Sequence, residues 1–359
     1  MTAATRAASK GLPNARGLIA AVVMATLAAS LASAKSVTGA SVQSPARLVY
    51  FTYCGVKQME GCELRTMTES LEGSEPVSTL HAWSDECGPG NSNPSTTVSE
   101  DGGTAVTLEA IGKMPGKYGE VPVCRLAVTN LVTGEQRVLP PYPPSLMNSI
   151  KAEGWSVAPN GEYIAIGFRS GVYLQDIQTA TQPRLLRTGF WDTDGGIGWY
   201  ADSSRLLIDG PPLPLGGRGP VDTANRLFEF SVTGQRLGKW LIKPYPAYGF
   251  TARFIKISAA GQIFAGVETF YDTTFGGRPN MPAGYYSLRL QAPPSAHLIT
   301  RVSRTGYAVP VASFGVDTER GVIFIGAGKM ICSVSIASGA RHCVTMPDSS
   351  GVQLALPSS

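Results

Sequence analysis

Three histidines, six cysteines and a few paired acids are the side chains of this 359-residue chain that could do chemistry beyond packing. His81 stands close to Ser84 and Asp85, the residue types of an acyl-transfer triad. A triad is defined by geometry in space, and three such types side by side in sequence do not make one. The sequence holds no G-x-S-x-G, H-E-x-x-H, phosphate-loop or dinucleotide fingerprint, so no catalytic residue is assigned. Asp192-Thr193-Asp194-Gly195 sets two carboxylates ahead of a glycine and could hold calcium with help from backbone carbonyls. It lacks the further acidic ligands of an EF-hand loop, and an aspartate-capped turn accounts for it equally well. No cofactor is expected.

The cysteines are Cys54, Cys62, Cys87, Cys124, Cys332 and Cys343. No C-x-x-C spacing occurs and histidines are few, which argues against zinc. In an exported chain disulfides are the expected use, with free thiols as the alternative. Cys332 and Cys343 flank a hairpin turn and stand opposite each other if it is centred on Ala337-Ser338. Cys54 and Cys62 flank an earlier hairpin in the same manner, and Cys87 and Cys124 then pair by default.

Residues suited to binding are spread more widely. Trp83, Tyr142, Trp191, Tyr245, Tyr248 and Tyr307 lie in long connecting segments, and Arg169, Arg218, Arg278 and Arg304 lie in or beside such segments. Aromatics and arginine are enriched in binding surfaces. The plainer reading is that the aromatics pack inward and the arginines are merely solvated.

The elements that would position these residues are strands. From Trp155 to Arg187 the sequence reads as short strands and turns, with Asn160-Gly161 tolerating the positive φ of a tight turn. That is a four-stranded meander the size of one propeller blade. Its closing hairpin recurs at Glu63–Leu80, Cys124–Leu139, Leu227–Leu241, Tyr285–Thr300 and Ile331–Met346, with Gly73, Gly134, Gly234 and Gly339 at matching places. Successive turns are about 46 to 61 residues apart, somewhat longer than the ~40–50 of familiar propeller repeats. Six units fit between Ala46 and Met346, so the expected fold is an all-β, six-bladed β-propeller.

The turn between the first two strands repeats as well, and its best copies are Trp199-Tyr200-Ala201-Asp202-Ser203 and Val157-Ala158-Pro159-Asn160-Gly161. These resemble the WSPDG-type repeat of TolB-like propellers, over roughly residues 97–347, although each copy departs from the full motif. The resemblance implies a fold and carries no function across. It also implies a propeller without the additional N-terminal α/β domain of that family.

Residues 1–34 read as a secretory signal peptide: Arg6, Lys10 and Arg16, then an apolar run from Leu18 to Leu31, then Ala32-Ser33-Ala34. The alternative is an uncleaved anchor, but the run falls short of the ~20 strongly apolar residues a span needs. No cysteine follows Ala34, against a lipoprotein, and no twin arginine precedes the run. Cleavage would leave a short linker, 35–45, and a propeller, 46–359. The whole chain has 30 Lys+Arg against 26 Asp+Glu, and three of the bases lie in the leader, so the remainder is close to neutral. Nucleic acid is therefore a poor candidate partner. A monomer in the periplasm or outside the cell is expected.

The first unit opens at Arg47–Phe51, which matches the second strand of later units. The apolar tail from Gly351 to Leu356 is expected to supply the missing strand, pairing residues 352–356 with Leu48–Thr52 and closing the ring. Second-to-third strand loops and inter-blade loops share one rim, and here they are the long ones: Ala110–Pro122, Asp209–Thr223 and Tyr271–Ala283 within blades, and Ala82–Pro94, Pro140–Glu153, Gly189–Gly196, Lys243–Gly249 and Ser303–Pro310 between them. Long loops on one face of a rigid scaffold are where such folds bind. The expectation is an exported, non-catalytic propeller that holds a protein, peptide or glycan on that rim. One alternative is a lactonase-like hydrolase or lyase with a metal in the central channel. Another is a sensor or docking propeller cut from a larger peptidase architecture.

Overall fold

The computed structural model describes residues 48–354 apart from 56–61, 69, 74, 81–95, 100–101, 117–118, 143–145, 147–153, 169–170, 180, 189–195, 210–225, 242–250, 269–281, 303–313, 328 and 347–348. The expected signal peptide and linker lie outside the described residues. Among the described residues no helix is long and apolar enough to cross a membrane.

The chain is an all-β propeller built of four-stranded antiparallel blades. Among the described residues the strands pair into six four-stranded sheets. The first holds β1 (Leu48–Gly55), β2 (Cys62–Thr68) and β3 (Glu75–Leu80). The second holds β4 (Thr96–Val98), β5 (Thr104–Gly116), β6 (Gly119–Asn130) and β7 (Gln136–Val138). The third is the Trp155–Arg187 meander: β8 (Gly154–Val157), β9 (Tyr163–Phe168), β10 (Gly171–Asp176) and β11 (Arg184–Thr188). Then come β12 (Ile197–Trp199), β13 (Arg205–Asp209), β14 (Arg226–Ser231) and β15 (Arg236–Leu241). The fifth sheet is β16 (Thr251–Ile257), β17 (Ile263–Glu268), β18 (Gly284–Arg289) and β19 (Ser295–Arg301). The sixth is β20 (Phe314–Asp317), β21 (Val322–Ala327), β22 (Met330–Ser335) and β23 (Arg341–Thr345).

The last strand, β24 (Ser349–Leu354), joins the first sheet, whose order is β24-β1-β2-β3. Phe51 stands opposite Leu354, Thr52 opposite Gln353, Tyr53 opposite Val352 and Cys54 opposite Gly351. The pairing segments are those expected from sequence, but the register differs: β24 meets the second half of β1, and Leu48–Tyr50 have no partner in it. Residues 355–359 lie outside the described residues.

Two kinds of short turn explain why the meanders repeat. Between first and second strands, Gly102, Gly161, Ser203 and Gly261 each donate a backbone N–H to the carbonyl three residues earlier, at 2.8–2.9 Å. All four have positive φ, including Ser203 at 56°, the one residue of the set with a side chain to strain. Between third and fourth strands, Gly73, Gly134, Gly234 and Gly339 take φ values of 69–93°. A type I turn ending in a left-handed residue matches the twist of the strands it joins, and glycine adopts that conformation without a Cβ clash.

One segment read as a loop is not one. Ala110–Pro122 continues the β5–β6 ladder past a bulge at Ala110/Gly112, pairing as far as Gly116 and Gly119. The result is a two-stranded arm that outruns its neighbours β4 and β7.

The apolar core lies between sheets rather than within one. Val106, Leu108, Leu126 and Val128 of the second sheet pack on Val157, Ile164 and Ile166 of the third. Equivalent clusters join third to fourth, fourth to fifth, fifth to sixth, and sixth to first, the last through Met67, Leu71, Phe324 and Ile331. The third, fourth, fifth and sixth sheets therefore bury both faces against neighbours, as period-2 apolar strands require in a propeller. Trp199 adds a polar stitch between innermost strands, its indole N–H donating to the Ser156 carbonyl at 2.9 Å.

Cys332 and Cys343 stand opposite each other in the β22–β23 ladder and form a disulfide, with Cα atoms 4.0 Å apart. Cys124 is disulfide-bonded as well. Cys54 and Cys62 are backbone register partners across β1–β2; their side chains, and Cys87, lie outside the described residues. Replacing both Cys332 and Cys343 by Ser is expected to cost about 2–3 kcal/mol, the loop-closure value for a bridge of this short span. Urea unfolding checks it, and an unchanged midpoint would show the bridge to be energetically idle.

Candidate functional site

In an antiparallel meander, turns between strands one and two and between three and four sit at one end of the blade. Loops between strands two and three, and connections to the next blade, sit at the other. The first end is occupied by its own contacts. Asn160 donates its N–H to the Ser203 hydroxyl of the next sheet at 3.1 Å, and the Gln178 amide donates to the Gly161 carbonyl at 3.1 Å. A Cβ on Gly161 would fall 2.6 Å from the Thr104 hydroxyl of the preceding sheet, so these turns touch closely.

At the same end Arg205 bonds Glu229 at 2.8 Å and lies 4.2 Å above the Tyr200 ring. Burial first, and the charge of Glu229 second, push the Tyr200 phenol up to about 12, so it is a neutral donor at ordinary pH. Asp202 is held below the usual carboxylate range: partial burial works the other way, but hydrogen bonds from Ser204 and the charge of Arg205 prevail. Among the described residues the turns at this end are short, and those of the second, third and fourth sheets touch or bond one another.

At the other end lie the strand ends that flank the long segments, and several of these roots are described. Asp209, at the end of β13 where residues 210–225 begin, is 1% exposed, and its carboxylate accepts the Ala252 N–H of β16 at 3.0 Å. Ala252 O in turn accepts from Gly196 N, and Gly196 O from Asp209 N at 3.0 Å. Three connections, 189–195, 210–225 and 242–250, thus start or end at one carboxylate-tied corner. Nothing in the sequence marks Asp209 as more than the first polar residue of a proline-rich loop; an acid closing the β-run RLLID was the available signal.

At the base of the arm, Glu109 and Arg125 are directly opposed across the ladder, with Nε–Oε2 at 3.2 Å. The Glu109 side chain is 8% exposed and that of Arg125 32%. Breaking a buried pair costs most when a desolvated charge is left alone. Arg125→Gln, which strands the buried carboxylate, is expected to destabilise by about 1–2 kcal/mol, below the ~3–5 of a fully buried pair because solvent reaches the arginine. Glu109→Gln, which strands only the wetter partner, should cost less. Thermal melts of the two variants check the order, and the reverse order would contradict it.

Of the residues singled out for binding, Tyr142 is described and does not face outward. It is 3% exposed, packed between the second and third sheets, and its hydroxyl donates to the Gln175 side-chain Oε1 at 3.0 Å. Gln175 passes the chain on to the Thr181 carbonyl at 3.1 Å. Burial raises the Tyr142 phenol well above its usual value. Its ring anchors the connection to β8 instead of presenting it. Trp83, Arg169, Trp191, Arg218, Tyr245, Tyr248, Arg278, Arg304 and Tyr307 lie outside the described residues, as do Asp192 and Asp194. Among the described residues no three His, Cys, Asp or Glu converge as metal ligands.

No family model matches the chain, and no curated protein matches it in sequence. Solved structures do resemble it. TolB from Acinetobacter baumannii superposes with a TM-score of 0.53 at 12% identity, over 85% of this chain and 65% of that one. The chain thus spans less than two thirds of that TolB's length. The periplasmic gluconolactonase of Pseudomonas aeruginosa gives a TM-score of 0.45 at 12% identity, over 86% and 99% of the two chains. At such identities the likeness to TolB speaks to the TolB-like propeller fold alone, and the second superposition is too loose to add to it.

Proposed function

We propose that this chain is an exported, non-catalytic β-propeller that binds a protein, peptide or glycan on the end bearing its long connections. The observation that carries this reading is the contrast between the two ends. At one end short turns of the second to fourth sheets touch or bond one another, while at the other the strand ends that flank the long connections are tied by Asp209, the Glu109–Arg125 pair and Tyr142. A rigid scaffold with variable segments on one face is the general design of a binding surface. Trp83, Trp191, Tyr245, Tyr248 and Tyr307, with Arg169, Arg218, Arg278 and Arg304, are the proposed contact residues. Tyr142 is left out because it is buried.

The same proposal takes the six sheets as the blades of one ring, sealed by β24 beside β1. The leader 1–34 would deliver the chain across the inner membrane as a soluble monomer. Cys54–Cys62 would repeat the cross-strand bridge seen at Cys332–Cys343, and Cys87 would be the partner of Cys124. Affinity capture with the mature chain from an exported fraction tests the function. One partner lost on Trp191→Ala/Tyr245→Ala, and kept on the short-turn variant Asn160→Ala, is expected. Turnover of a lactone that depends on an added divalent metal would instead establish the hydrolase alternative.

A further inference from the structure

Five of the six outermost strands carry charge of one sign, the exception being β3 with Glu75. Together β7, β11, β15, β19 and β23 hold seven Arg or Lys, two His and no Asp or Glu. The density is greatest where β11 meets β15. Arg184 is the register partner of Leu174, which packs in the core shared by the third and fourth sheets, so its side chain points across that junction. Its guanidinium donates to the Thr233 carbonyl at 3.0 Å and also to the Val232 carbonyl.

The opposite bank is built alike. Lys239 pairs with Phe228 and Arg236 with Phe230, and both phenylalanines belong to the same shared core. Lys239 Nζ lies 5.7 Å from the Phe228 ring centroid, a cation–π approach. Arg184, Arg236 and Lys239 are all exposed. The bonds made by Arg184 go to neutral carbonyls, which fix the guanidinium without cancelling its charge. Among the described residues none of the three is in a salt bridge. Glu229, the acid between the two phenylalanines, lies on the other face of β14 and is paired with Arg205.

Both banks are also sheet edges, since β11 and β15 end their sheets. An edge strand presents backbone N–H and C=O groups that an added strand can pair with. We propose that the β11–β15 junction is a second binding site, apart from the long-connection end, for an extended acidic segment of a partner protein. The segment adds as a strand along β15 and sets its carboxylates against Arg184, Arg236 and Lys239, where bidentate guanidinium contacts favour them. A second copy of this chain is a poor occupant, because five of its six outer edge strands carry the same charge and the sixth, β3, offers a single acid, Glu75. A lipid surface supplies anions but no strand.

The test is fluorescence anisotropy of the mature chain with a labelled synthetic peptide alternating Glu and Val. Binding that weakens with salt is expected, and no binding of the peptide with Lys in place of Glu. The variant Arg236→Glu/Lys239→Glu should melt like the wild type, since neither side chain makes a described structural hydrogen bond, and should bind at least about tenfold more weakly, or ~1.4 kcal/mol. N-methylation of alternate peptide bonds in the probe should abolish binding. Absence of binding at low salt, equal binding by the charge-reversed variant, or undiminished binding of the N-methylated probe would each overturn the proposal. So would capture of the wild type by phosphatidylglycerol vesicles with no binding of the peptide.

Discussion

Truncation before Ser349 is expected to lower the melting temperature by roughly 10 °C or leave the chain unable to fold. β24 hydrogen-bonds to β1 over four consecutive register pairs and one more beyond a bulge. Each ladder bond is worth about 0.5–1.5 kcal/mol net, so the strand contributes a few kcal/mol through bonding alone. Its loss also leaves that edge of β1 without a partner, and an unpaired backbone group shielded from water costs about as much again as a lost bond. In a chain of this size each kcal/mol moves the midpoint by about 1.5 °C. Differential scanning calorimetry of the mature and truncated chains decides it. A truncated chain that melts with the full one would mean that β24 is an ornament and that the first sheet stands on three strands.

Asp209→Ala is expected to be the most damaging single substitution near the long connections, at about 2–4 kcal/mol. It removes a hydrogen bond to a charged acceptor, worth ~1.5–3 kcal/mol, and leaves the buried Ala252 N–H without that partner. The damage is local, because Ala252 is the second residue of β16 and Gly196 precedes β12, the first strands of adjacent sheets. Asp209→Asn keeps an acceptor oxygen in place and should recover much of the loss. Urea unfolding measures the stability, and hydrogen exchange should show faster exchange at Ala252 in the alanine variant alone. Equal stability of wild type and Asp209→Ala would remove Asp209 from its role at this corner.

Much of the scaffold was legible because its rules are local. Asn160-Gly161 and the glycines at 73, 134, 234 and 339 sit where the backbone needs positive φ, and each announces a turn whatever surrounds it. Cys332 and Cys343 could be placed from one hairpin. The arm was not legible, because Gly112, Pro115, Gly116 and Gly119 have the composition of a loop while their ladder continues, with Pro115 and Pro122 tolerated at sheet edges. Tyr142 looked like a surface aromatic because an isolated ring in a connecting segment carries no periodicity to say which way it points. The outer arginines were missed for another reason. Arg137 and Arg184 each grip backbone carbonyls of the following sheet, at Ile177 and Gln178 and at Val232 and Thr233, and a carbonyl leaves no trace in a pattern of side chains.

The claim that binding belongs to the end with the long connections is tested most directly by hydrogen–deuterium exchange of the mature chain, alone and with its captured partner. Protection on binding is expected in 189–195, 210–225, 242–250, 269–281 and 303–313, with the short turns around Gly102, Gly161, Ser203 and Gly261 unchanged. Protection confined to those short turns, with the long connections exchanging as in the free chain, would contradict it.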